Sequence, residues 1–168
     1  MTGDDIAVTV DEVIESISDP VSREISERIL RLFADNGLTY RIKTGYGNVY
    51  RIFCYIRKSK EALIINPIGK NFGPFELQMR IKRQDTLDSL ELFSPNVVRQ
   101  ILASKDCAGP FCVNCGSEYR FTYKGKPYRK CHMLCDNFVF RRLTDEDIDS
   151  VVSIVKSEID YHSQGRAR

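Results

Sequence analysis

Five of the six cysteines of this 168-residue chain lie between Cys107 and Cys135, and no other stretch limits the possible folds so strongly. They form two groups, Cys107, Cys112 and Cys115, then Cys131 and Cys135, on either side of an expected β-hairpin. The N-terminal run MTGDDIAVTVDEV is acidic and has neither the basic start nor the apolar core of a signal peptide. No stretch approaches the roughly 18 apolar residues of a membrane helix. A soluble, cytoplasmic protein with reduced thiols is therefore expected, and gathered thiols in that setting read as a metal site rather than as disulfides.

Zinc takes four thiolate or imidazole ligands in a tetrahedron, and a C-x2-C turn supplies two of them. Cys112-Val113-Asn114-Cys115-Gly116 is such a turn, and Cys131 with Cys135 gives a second pair one residue wider than the usual zinc-ribbon spacing. Cys107 is a fifth thiol able to replace Cys135, and His132 is a weaker donor because neighbouring residues seldom face one metal. The spacing Cys107-x4-Cys112-x2-Cys115 also fits the loop of a plant-type ferredoxin, so a [2Fe–2S] cluster is the alternative cofactor. The surroundings are basic and aromatic, unlike those of a ferredoxin. Cys54, inside an apolar strand, reads as a small buried hydrophobe.

The run C-x4-C-x2-C, followed by Tyr-Lys-Gly-Lys-Pro-Tyr-Arg-Lys-Cys, a Phe-x-Phe strand and a Thr-Asp-Glu-Asp helix start, resembles a group of uncharacterised prokaryotic proteins. Those proteins carry a C-terminal cysteine cluster around a G-K-x-Y-R-K-C hairpin. The resemblance covers residues 107–155. It implies Cys107, Cys112, Cys115 and Cys131 as the ligand set, with Cys135 an addition, and it implies no activity. The N-terminal region is loosely similar to small α+β proteins of the YdhG-like type.

The rest of the chain reads as α+β. Apolar residues at helical spacing predict helices over 10–18 and 20–35, the second entered through Asp19-Pro20 and ended by Asn36-Gly37. Residues 39–43, 48–57, 62–66 and 75–83 predict an antiparallel meander, with 87–93 ambiguous between a further strand and an irregular turn. A helix begins at Ser94-Pro95, a strand spans 137–142, and Thr144 opens a final helix whose tail from Tyr161 is expected to fray. The expected organisation is an α+β core over 1–104, a Cys-rich metal-binding hairpin over 105–142, and over 143–168 a C-terminal helix packing on the core with a flexible tail.

Acidic ends flank a basic middle, where residues 38–104 carry eleven basic and five acidic side chains. The hairpin interleaves Tyr119, Phe121, Tyr123 and Tyr128 with Arg120, Lys124, Lys126, Arg129 and Lys130. Such a mixture can stack bases and meet phosphates, or can be the two faces of a half-buried ribbon. Familiar catalytic sets are poorly represented: there are two histidines and no phosphate-binding loop, and Glu118 and Asp136, acids close to the cysteines, read by default as solvated surface groups. The expectation is a non-enzymatic protein with a structural zinc, presenting a basic surface (Lys124, Lys126, Arg129, Lys130) to a protein or nucleic-acid partner. An electron-transfer protein with an iron–sulfur cluster is second, and a metal-dependent enzyme third.

Overall fold

Helix α2 (Pro20–Asp35) shows how short signals place the elements. Asp19 accepts a hydrogen bond from the Ser22 amide at 2.8 Å, and Pro20 occupies the first turn, where an amide donor is not needed. At the far end Gly37 takes φ +61°. Leu38 N donates to Phe33 O at 2.8 Å and Gly37 N to Ala34 O at 3.0 Å, the paired bonds that stop a helix at a left-handed residue. Between the caps Ile25, Ile29 and Phe33 are fully buried. Each contributes about 1.5–3 kcal/mol of transfer free energy.

A computed structural model of the protein describes residues 8–44, 49–57, 60–68, 74–107, 118–131 and 138–164. Helix α1 (Val10–Glu15), opened by a Thr9–Glu12 capping box, is shorter than its apolar pattern suggested, although Ile17 beyond it stays buried. The meander follows as β1 (Thr39–Thr44), β2 (Tyr50–Arg57), β3 (Lys60–Asn66) and β4 (Glu76–Met79). A fifth strand, β7 (Phe138–Phe140), pairs with β4, giving an antiparallel sheet in the order β1-β2-β3-β4-β7. The Cys-rich segment thus supplies an edge strand to the sheet begun by the first 104 residues.

Register fixes which side chains face inward. Ile42, Ile52, Ile65, Leu77 and Phe140 lie across the sheet in one row, and Cys54, Leu63, Met79 and Phe138 in the next. These residues join the buried faces of the helices in one apolar core. Cys54 belongs to it: its thiol is pushed far up by burial and stands apart from the clustered cysteines. Arg51, Phe53, Tyr55 and Ile64 alternate with the inward set and point the other way.

The fourth strand ends four residues before the sequence suggests. Arg83 N donates to Glu158 Oε1 at 2.9 Å, so by that point the backbone is paired with a side chain of the last helix. Burial pushes the Glu158 carboxyl up, against the lowering effect of the Arg83 and Lys82 amides. The ambiguous stretch that follows is helical: α3 (Gln84–Asp88) and a 3-10 turn at Leu90–Leu92.

Helices α4 (Pro95–Leu102) and α5 (Ile148–Gln164) are tied at their N-termini by Asp147, which is fully buried. Its carboxylate accepts from Ser94 Oγ, Asn96 Nδ2 (2.6 Å), Thr144 N (2.7 Å) and Thr144 Oγ1 (3.1 Å). Burial opposes ionisation, but these bonds outweigh it and hold the carboxyl below the ordinary aspartate value. The last helix also corrects the sequence expectation of a frayed tail from Tyr161. It continues to Gln164, and His162 is buried with Nε2 4.0 Å from Glu158 Oε2. Among the described residues no helix is long and apolar enough to cross a membrane.

Candidate metal centre and its basic hairpin

Strands β5 (Glu118–Tyr123) and β6 (Lys126–Cys131) pair from Glu118↔Cys131 to Tyr123↔Lys126. Lys124 (φ +49°) and Gly125 (φ +74°) make the two-residue turn, whose left-handed backbone suits the twist of the flanking strands. Residues 105–107 then lie along the open edge of β6. Cys107 N donates to Arg129 O and Cys131 N to Lys105 O, both at 2.9 Å, around the Asp106↔Lys130 bridge.

Alternation sorts the side chains of this ribbon onto two faces. One carries Cys107, Glu118, Arg120, Arg129 and Cys131. The other carries Tyr119, Phe121, Tyr128 and Lys130. On the first face Glu118 is the hub. It stands directly across the ladder from Cys131 and receives Arg129 through Nε at 2.9 Å and Nη2 at 3.0 Å. Arg120 and the Cys107 thiol bond the same carboxylate. Arg129, then Arg120 and Cys107, hold that carboxyl below the ordinary glutamate value.

Cys107 is half-buried and Cys131 is buried. Cys112, Cys115 and Cys135, with His132 and Asp136, fall in 108–117 and 132–137, outside the described residues. Among the described residues no group of three or more His, Cys, Asp or Glu is arranged to hold a metal. What the fold does bring together is the first cysteine of the early group and the first of the late one, on one face of one ribbon. Cys131 also forms part of the wall of a cleft of about 320 Å³ with Gln100, Ser104, Tyr119, Phe138 and Arg141.

The second face is committed to the interior. Tyr119 and Phe121 belong to the core, Phe121 stacks on Tyr128 with centroids 5.5 Å apart, and Tyr119 meets Phe138 of β7 at 5.1 Å. The four cations expected to form a basic surface therefore separate. Lys124 and Lys126 are exposed near the turn, each ammonium 5.4 Å from the ring of Tyr123 or Tyr128 respectively. Arg129 is exposed but bound to Glu118. Lys130 departs from the expectation of a solvent-facing cation: its side chain is 4% exposed and donates to Leu102 O, Ser104 O and Asp106 Oδ1. Its two-residue offset from Tyr128 is the sequence signal that puts it on the inward face.

The chain matches no protein-family model, no curated protein and no solved structure. The resemblances drawn from the sequence rest on its motifs alone.

Proposed function

We propose that this chain is a non-enzymatic binding protein whose Cys-rich ribbon is held by a structural zinc, with four ligands from among Cys107, Cys112, Cys115, Cys131 and Cys135. The observation that carries this reading is the edge pairing of residues 105–107 with β6, which sets Cys107 and Cys131 on one face beside Glu118. Diagonal neighbours across an antiparallel pair lie about 7–8 Å apart, a span two thiolates reaching toward a shared ion can close. Glu118 and Arg129 give that face a fixed electrostatic frame. The carboxylate accepts the Cys107 thiol, and the guanidinium, held in its charged form first by Glu118, is also drawn to Cys107. The metal would fasten the ends of the hairpin to the strap before it, leaving the outer surfaces of the protein to meet a partner.

Metal analysis with an anaerobic absorbance spectrum, on untagged protein purified without added metal, tests this. One zinc per chain in a colourless protein, lost in the paired Cys107→Ser and Cys131→Ser variant but kept in Cys54→Ala, is the expected result. Iron with sulfide and visible charge-transfer bands would replace it with an electron-transfer reading. Absence of both metals would refute a metal centre.

A further inference from the structure

Arg120, Arg129 and Lys130 of the hairpin are paired with carboxylates, whereas Arg41, Lys43 and Arg51 on the outward face of β1 and β2 form no salt bridge among the described residues. Between Leu38 and Lys60 the chain has six basic residues and no acid. Three of them, Arg41, Lys43 and Arg51, share the face of the sheet that points away from the core. Lys43 stands directly opposite Arg51 in the ladder. Like charges so placed repel and weaken a sheet, a cost that a bound anion would turn into attraction. Arg51 Nε is buried and finds no acceptor among the described residues, and none of the three cations forms a salt bridge there.

The same face carries aromatic rings that the core does not use. Phe53 is half-buried and Tyr55 buried, yet neither belongs to the contiguous apolar core. Lys43 Nζ lies 4.6 Å from the Phe53 centroid and 5.7 Å from that of Tyr55, with the Arg41 guanidinium 5.7 Å from Tyr55. Flexible cationic chains thus occupy the space over these rings. A flat base entering there would take the place of the Lys43 ammonium over Phe53 while its phosphates met the displaced ammonium and the guanidinium groups.

We propose that the outward face of β1 and β2 docks single-stranded nucleic acid, with Phe53 stacking a base and Arg41, Lys43 and Arg51 holding phosphates. A single strand is the occupant because a duplex keeps its base faces stacked inside and offers none to a ring. The proposal rests on the reading of the chain as a binding protein, and not on the identity of the metal.

Fluorescence anisotropy with labelled oligothymidylate and oligouridylate, over a salt series, tests it on the full chain. The protein should bind both and bind a duplex of equal length less well. Phe53→Leu, which keeps an apolar side chain, should weaken binding about tenfold or more. Lys43→Gln and Arg51→Gln should each lower the slope of log affinity against log salt by about 0.7. The paired Lys124→Gln and Lys126→Gln variant should bind as the parent does. Circular dichroism and metal content, measured on every variant, report folding separately. No binding by a folded, metal-loaded protein at low salt overturns the proposal and leaves the metal reading standing. Unchanged affinity in Phe53→Leu and Lys43→Gln also overturns it, leaving Lys43 as the charged guard of an edge strand. Loss confined to the hairpin variant would move the surface to the turn and equally overturn it.

Discussion

Two ribbons in this molecule have similar composition and opposite use. The β5–β6 hairpin and the β1–β2 ladder are both rich in aromatic and basic residues. In the hairpin the aromatics Tyr119 and Phe121 enter the core, and the cations on the wet face meet Glu118. In β1–β2 the core takes the aliphatic residues Ile42 and Ile52, which leaves Phe53 and Tyr55 on the other side with Arg41, Lys43 and Arg51, cations that form no salt bridge among the described residues. Composition alone cannot distinguish a structural ribbon from a display surface. What distinguishes them is which half of the alternation the core claims, and whether each charge has a partner.

The largest test of this contrast is paired truncation. Phe121→Ala removes a buried core ring and should cost about 3–5 kcal/mol in chemical denaturation, whereas Phe53→Ala should cost about 1 kcal/mol. Equal losses would show that both rings support the core. Next comes the paired removal of cations. Lys130→Met strands the carbonyls of Leu102 and Ser104 and should cost about 2 kcal/mol. Lys43→Gln should stay within about 0.5 kcal/mol, or stabilise by relieving its repulsion with Arg51. A neutral Lys130→Met would place that lysine among the surface charges after all.

The smallest effect is in pH. The folded Glu118 carboxyl lies below its ordinary value, so its contribution is present at neutral pH and is lost as pH falls through that lowered folded value. In acid titrations followed by NMR, the Arg120 and Arg129 guanidinium signals should therefore shift together below the ordinary glutamate range, and Glu118→Gln should abolish the step. The Arg41, Lys43 and Arg51 signals should show no such step and should respond to added polyanion instead.

Much of this architecture is legible in single residues. Asp19-Pro20 and Asn36-Gly37 bracket α2 and Ser94-Pro95 opens α4, because caps are local chemistry; the hairpin turn, legible over Lys124-Gly125-Lys126-Pro127, is the tighter Lys124-Gly125. What the sequence hides is non-local. The Phe-x-Phe pattern announces a strand over 137–142 but not that Phe138–Phe140 pairs with Leu77 to Met79. Ile81 keeps the alternation of β4 alive after the strand has ended, since a residue can stay buried when its backbone has left the sheet. Likewise the cysteine spacing suggests ligands, while the pairing of Asp106 with Lys130, which brings Cys107 beside Arg129, is written nowhere near either residue.

The placement of β7 has a consequence for how the protein is made. Its partner β4 leaves the ribosome much earlier, and α3, α4 and the whole cysteine ribbon are synthesised before Phe138–Phe140 emerges. Until then the β4 edge is bare, with Leu77 and Met79 on a strand whose outer amides and carbonyls have no mate. An unpaired edge of this kind recruits strands from other chains. The nascent protein is thus most exposed to aggregation just before its last short strand arrives, and a chain truncated after residue 131 would carry that open edge permanently.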